Sequence, residues 1–93
     1  MLHLVDYYAA SWTNLDLPVN ADRMALVPGD YAKVVLKQAG EPHSESVWIQ
    51  VEELLGNGKY RGTLANDPII MNMRYGDMVV FDWFNVVAME LRN

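Results

Sequence analysis

Residues 47–65 read VWIQVEELLGNGKYRGTLA and contain the clearest local signal in the chain. Two runs rich in β-branched and aromatic residues flank the pair Asn57–Gly58, whose residues accept positive φ at little cost. Such a pair is typical of the two-residue turn of a β-hairpin. The sequence therefore predicts two antiparallel strands joined at Asn57–Gly58.

A turn of this length also predicts the register of the hairpin. The expected cross-strand pairs are Leu55 with Tyr60, Glu53 with Gly62, and Val51 with Leu64. A slip of one residue would place Leu64 opposite polar Gln50, so the apolar pattern favours the first register. In this register Trp48 lies on the opposite face from the apolar side chains at positions 47, 49 and 51. Glu53 falls on the apolar face, where we expect a β-bulge that turns it outward.

Turn signals divide the rest of the chain into short runs of the same kind. Gly, Pro, Asn and Asp cluster at 14–18, 28–30, 40–42, 66–68 and 75–77. The runs between these turns have the length and the residue types of strands. At the amino terminus, however, apolar residues from Leu2 to Trp12 recur at spacings of three and four. This spacing predicts a helix, although Leu2 and Leu4 also fit an alternating strand.

Together these elements predict a mainly β protein, an SH3-like small barrel preceded by an amino-terminal helix or extension. Tight turns that feed strongly bent strands suit such a barrel, because closure removes exposed sheet edges. A chain of 93 residues holds one core. We therefore expect a single domain over 1–93, with the helix or extension at 1–27 and the β-barrel at 28–93.

Composition excludes several classes of protein. The absence of cysteine excludes disulfide scaffolds, thiolate metal sites and cysteine nucleophiles. The net charge of −5 disfavours binding to duplex nucleic acid or to anionic lipid. No apolar run approaches the roughly 18 residues of a membrane span, and the first residues lack the basic start of a signal peptide. We expect a soluble cytoplasmic protein with no membrane partner.

The residues that commonly carry catalysis are scattered. His3 and His43 do not have the spacing of a metal-binding pair. The serines lack a nucleophile setting, and no glycine-rich phosphate loop occurs. Glu52 and Glu53 are neighbours in a strand, so they point to opposite faces and do not form a catalytic pair. We therefore expect no metal, no cofactor and no enzymatic activity.

The remaining possibility is recognition of a partner. Large aromatic and cationic side chains carry much of the binding energy of interfaces, and they also suit flat anionic ligands through stacking and charge-assisted hydrogen bonds. In the alternative interpretation Trp48 covers an end of the barrel and the cations only keep an acidic protein soluble. The candidate binding residues are Trp48, Lys59, Arg61, Arg74 and Tyr75.

The last third of the chain is apolar on both faces of its strands. From Met78 to Leu91, large apolar side chains occupy both alternating sets of positions. Either the amino-terminal segment covers one face, or a second chain does. Met71 and Met73 add flexible apolar side chains that adapt to partner surfaces, and from this pattern we predict a homodimer.

Four segments carry a resemblance to a known family. They are residues 32–36 (AKVVL), 45–49 (ESVWI), 62–68 (GTLANDP) and 76–81 (GDMVVF). In order and spacing they resemble the YegJ-like domains of unknown function, over about residues 29–87, although Ser46 stands where that family often has His. The resemblance implies a small, strongly bent β domain without established catalysis, of a kind found among bacterial and phage accessory genes. It implies no functional residue.

These inferences favour a non-enzymatic binding module. We expect it to neutralise a protein partner in a conflict between a bacterium and a phage or toxin, as an immunity or counter-defence protein. One alternative is a sponge that sequesters a small anionic ligand such as a nucleotide immune signal. Another is a structural or accessory phage protein.

Overall fold

The computed structural model describes residues 2–7 and 17–92. Within these ranges the chain forms six strands, one short α-helix and one 3-10 turn. In chain order they are β1 (Leu2–Leu4), α1 (Asn20–Arg23), β2 (Tyr31–Gln38), β3 (Glu45–Gly56), β4 (Lys59–Leu64), β5 (Met78–Asp82), the 3-10 turn (Trp83–Asn85) and β6 (Val86–Glu90).

All six strands belong to one antiparallel sheet with the order β1-β2-β3-β4-β5, and β6 also pairs with β2. One edge of β2 pairs with β3, while the other edge pairs with β6 at Tyr31–Val34 and with β1 at Leu36–Gln38. The 3-10 turn brings β6 from the end of β5 back to β2, so five strands form a nearly closed, barrel-like sheet. The prediction of a mainly β protein is confirmed.

The amino-terminal helix prediction is wrong for the first residues, because Leu2–Leu4 form strand β1. Leu2 and Leu4 are partly buried against the core, as expected from the alternating pattern. A strand forms here rather than a helix because it can pair with the edge of β2. The remainder of that prediction falls on residues 8–16, which lie outside the described residues. The short helix α1 lies further along, at Asn20–Arg23.

The hairpin turn forms where the sequence predicts it, with φ of 55° at Asn57 and 75° at Gly58. The predicted pairing beyond the turn is wrong. Ile49 rather than Val51 lies opposite Leu64, because the register shifts twice, between Val51 and Glu53 and again between Leu54 and Gly56. Each shift is a β-bulge that adds one residue to β3.

The two bulges add two residues, so the alternation of faces is restored beyond them. Val51 and Leu64 still point into the core and Trp48 still points outward. The bulge expected near Glu53 is confirmed. It places Glu53 opposite Arg61 and exposes its carboxylate, which lies 2.7 Å from the guanidinium.

Alternating positions of the strands fill the interior of the barrel. The buried apolar residues are Leu26, Ala32, Val34, Leu36, Val47, Ile49, Val51, Tyr60, Leu64, Met71, Val79, Phe81 and Val86. The Tyr60 and Phe81 rings pack with centroids 5.3 Å apart. Burial of this set is the main favourable term for folding.

Arg23 is a cation with 0% exposure at the end of α1. Its Nη1 donates to the Val86 carbonyl at 3.0 Å and its Nη2 donates to Asn20 Oδ1 at 2.7 Å. The guanidinium also lies 5.0 Å from the Trp83 ring centroid. Desolvation lowers the pKa of Arg23. The Tyr60 hydroxyl donates to the Arg23 carbonyl at 2.9 Å, so this cluster anchors α1 to the barrel.

Candidate binding surface

Trp48 lies on the outer face of β3, half-buried, between β2 and the end of β4. Its cation neighbour is Lys33, which lies opposite Trp48 on β2 and has its ammonium 5.6 Å from the Trp48 ring centroid. Ala65 also lies next to Trp48, since its N–H donates to the Trp48 carbonyl at 2.8 Å. The sequence predicted the face of Trp48 correctly, but not this cation.

Lys59 and Arg61 lie toward the other end of the hairpin. Lys59 Nζ lies 3.6 Å from the Asp82 carboxylate, and Arg61 lies 2.7 Å from Glu53. Glu53 follows Trp48 by five positions along β3, which corresponds to roughly 15 Å of strand. The structure therefore does not bring these two cations to Trp48, and each has a carboxylate partner of its own.

A pocket of about 220 Å³ lies beside Trp48 on the outer face. Tyr31 and Glu90 are cross-strand partners on β2 and β6, and Trp48 lies diagonally from Tyr31 on β3. Ala65 completes the wall at the end of β4. The pocket thus combines two aromatic rings with one carboxylate.

The segment 66–77 connects β4 to β5, and we call it the clamped loop because side chains hold its backbone at several points. At its start, the Trp48 N–H donates to Asn66 Oδ1 at 2.7 Å. At its end, Asp67 accepts from the Tyr75 N–H at 2.8 Å and Asp77 accepts from the Arg74 N–H at 2.9 Å. These bonds fix both ends of the loop.

Glu45, at the start of β3, holds the middle of the clamped loop. Its carboxylate accepts three consecutive backbone N–H groups, from Ile69 at 2.6 Å, Ile70 at 2.8 Å and Met71 at 3.0 Å. Desolvation pushes the pKa of this carboxyl up, but the three donors outweigh it and the pKa of Glu45 lies below its ordinary value. One carboxylate therefore fixes three residues that are not part of the sheet.

The clamped loop presents apolar side chains to solvent. Ile69 is 93% exposed and Tyr75 is 67% exposed, while Ile70 is exposed to a lesser degree. Met71, two residues beyond Ile69, is buried in the core and anchors the loop from below. Arg74 is exposed next to Tyr75. A large apolar side chain is thus held outside the core on a backbone with little freedom to withdraw it.

Several residues that shape this surface were not among the sequence-based candidates, including Tyr31, Lys33, Glu45, Ile69 and Glu90. Glu45 had no usable signal, since a glutamate in a polar stretch has the same sequence signature whether it is solvated or holds another segment. Tyr31 and Lys33 had none, because their nearness to Trp48 depends on the pairing of β2 with β3.

Within residues 2–7 and 17–92, no group of three or more His, Asp or Glu side chains is arranged to hold a metal ion. The same described residues include no helix long and apolar enough to cross a membrane.

The fold and this surface define a small, mainly β protein with a nearly closed sheet and a fixed external loop that exposes apolar side chains. No protein-family model, curated protein or solved structure matches the chain.

Proposed function

We propose that this protein is a non-enzymatic binding module that occupies a protein partner through its clamped loop. The observation that carries the proposal is Ile69, an isoleucine that is 93% exposed while its own N–H and the next two are held by Glu45. An apolar side chain that stays in water contributes nothing to the stability of the fold. Its burial in a pocket of a partner would contribute favourable free energy to binding.

The rigidity of the clamped loop supports this proposal. Binding through a flexible loop loses affinity to the entropy of ordering it, and a loop that is already ordered avoids this loss. Tyr75 and Arg74, from the same loop, are residue types enriched at the energetic centres of interfaces. The loop therefore offers an apolar anchor, an aromatic side chain and a cation on one fixed backbone.

Side chains from three separate parts of the chain support the same surface. Glu45, Asn66 and Asp77 each accept a backbone N–H in a bond that holds the clamped loop or its start. The course of the chain also supports an SH3-like barrel, since β6 follows a 3-10 turn and pairs with β2. Within this proposal, the role in bacterial or phage conflict rests on the resemblance alone.

Replacement of Ile69 tests the proposal. We expect Ile69→Ser to weaken binding of the partner by about tenfold or more, because a central apolar anchor is lost, while the thermal midpoint stays unchanged. The partner is first captured from an extract of the source cells, and its affinity is then measured by calorimetry. Leu54→Ser is the matched control, since Leu54 is also exposed but lies at the far end of the hairpin. Equal affinity of both variants and the wild type would exclude the clamped loop as the site.

Self-association through the outer face of β5 is part of the proposal. Met78 and Val80 are 62% and 49% exposed on that face. In contrast, Met71 is buried in the core and Met73 packs against it, so they contribute less to a dimer surface than their sequence suggested. Residues 5–7 lie next to the 3-10 turn, where the Tyr7 N–H donates to the Phe84 carbonyl at 2.8 Å.

We expect sedimentation equilibrium at micromolar concentration to report a homodimer. Val80→Lys should convert it to a monomer, because a charge would be buried without a partner in the interface. Leu54→Lys, an equally drastic change at an exposed position outside β5, should leave the dimer intact. If the wild-type protein is monomeric, self-association is excluded. The proposal that the clamped loop binds a protein partner does not depend on that result.

A further inference from the structure

The pocket beside Trp48 is built from groups that attract a cation. Aromatic faces bind ammonium and guanidinium groups through the ring quadrupole, most strongly for Trp. Tyr31 and Trp48 provide two such rings. Glu90, directly opposite Tyr31 on β6, adds an exposed carboxylate to the same wall. The net charge of −5 favours a cation over an anion at long range as well.

The size of the pocket selects a single side chain rather than a larger ligand. Sites for drug-sized ligands occupy about 300 to 1,000 Å³, and this pocket has about 220 Å³. A nucleotide would exceed it, and its phosphates would meet the Glu90 carboxylate. The head group of a basic side chain fits both the volume and the charge.

The Trp48 ring already contacts one cation within the chain, the ammonium group of Lys33. This ammonium lies 5.6 Å from the ring centroid, yet Lys33 does not belong to the wall formed by Tyr31, Trp48, Ala65 and Glu90. An incoming cation would share the ring with Lys33 and would be repelled by it. Lys33 thus competes with a cationic ligand, whereas it would assist an anionic one.

We propose that this pocket binds a lysine or arginine side chain of the protein partner. The inference deepens the proposed function and rests on it in one respect, that the ligand belongs to a protein. The clamped loop starts at Asn66, next to Ala65 of the pocket wall. A partner seated on the loop can therefore extend a basic side chain into the pocket.

The test uses the full chain and a short glycine-flanked arginine peptide as the probe. The matched control peptide carries citrulline, which has the same shape without the charge. Binding is followed by NMR through the indole N–H of Trp48 and the ring signals of Tyr31. We expect millimolar binding of the arginine peptide, about threefold or more tighter than the citrulline peptide.

Two surface variants give opposite expectations for a cation and an anion. Glu90→Gln should weaken binding of the arginine peptide by about threefold. Lys33→Gln should strengthen it, because the competing ammonium is gone. A nucleotide titration should shift neither Trp48 nor Tyr31. Both replacements are at the surface, and dispersed NMR spectra will verify the fold.

Several results would overturn the inference: equal binding of the two peptides, no shift at Trp48, or weaker binding after Lys33→Gln. The last of these would instead indicate an anion site. A negative result for the pocket is distinguishable from a negative result for the proposed function, because the Ile69→Ser experiment measures binding through the clamped loop and not through the pocket. If the peptides do not bind but Ile69→Ser still abolishes partner binding, only the cation pocket is excluded.

Discussion

Gly62→Ala should destabilise the protein by about 3 kcal/mol, because β3 and β4 approach each other closely at this position. A Cβ atom on Gly62 would collide with the backbone carbonyl oxygen of Gln50 and would lie 2.7 Å from Cγ2 of Ile49. The first obstacle is backbone, which side-chain rotation cannot relieve. Chemical denaturation should show a lower midpoint with an unchanged slope.

Gly56→Ala is the matched control in the same hairpin. Gly56 has a positive φ of 93° and open space around it, so alanine there meets only conformational strain of about 1 to 2 kcal/mol. Gly62 has the reverse combination, since its backbone accepts alanine and its surroundings do not. A smaller loss at Gly62 than at Gly56 would contradict the close approach of the two strands.

The sequence predicted the parts of the hairpin that depend on local chemistry. Asn57 and Gly58 favour a tight turn by their own conformational preferences, and the turn forms there. One of the two bulges was also predicted, because an acidic residue on the apolar face indicates a local irregularity at Glu53. The second bulge, at Leu54–Gly56, and the pairing of Glu53 with Arg61 were not predicted, since a register counted outward from the turn contains neither.

The candidate site also has one feature that the local sequence predicts and others that depend on long-range strand pairing. The outward face of Trp48 follows from the alternation of a strand and survived a wrong register, because two bulges restore the alternation. Its neighbours depend on how β2 pairs with β3. The turn signal at 40–42 predicts a connection between these strands but does not fix its length, so it does not set their register. Hence the sequence grouped Trp48 with Arg61, whereas the structure places Lys33 beside it.

Two charged residues with structural roles lie beyond local reasoning. Arg23 donates to the carbonyl of Val86, and Glu45 accepts from three residues of the clamped loop. Both contacts join segments far apart in the chain. A charged side chain in a polar stretch has the same sequence signature whether it is solvated or holds another segment, so only the folded chain separates the two cases.

Replacement of Glu45 by alanine should release the clamped loop without unfolding the barrel. Three N–H groups lose a charged acceptor at once, and hydrogen bonds to charged groups are the stronger kind. We expect amide hydrogen exchange at Ile69, Ile70 and Met71 to accelerate by about tenfold or more. Amides in the core strands should keep their protection. By the proposed function, affinity for the partner should fall together with the order of the loop.

The loop should also respond to acid through Glu45. Desolvation raises the pKa of this carboxyl and the three donors lower it by more, so the folded-state pKa lies below the unfolded-state value. The stabilisation is therefore fully present above an unfolded-state pKa of about 4.3 and is lost as the pH falls through the lower, folded-state pKa. NMR shifts of the Ile69, Ile70 and Met71 amides should titrate with a midpoint below that ordinary value.

Glu45→Gln separates the charge from the shape of the side chain, since the amide oxygen still accepts hydrogen bonds but does not titrate in this range. The acid transition of the three amides should vanish in this variant, and their exchange should lie between those of the wild type and Glu45→Ala. Glu52→Gln is the control on the same strand, since Glu52 accepts from the Thr63 hydroxyl at 3.1 Å rather than from the clamped loop. It should leave the transition unchanged. If the transition persists in Glu45→Gln, another group holds the clamped loop, and the rigidity on which the proposed function depends has a different source.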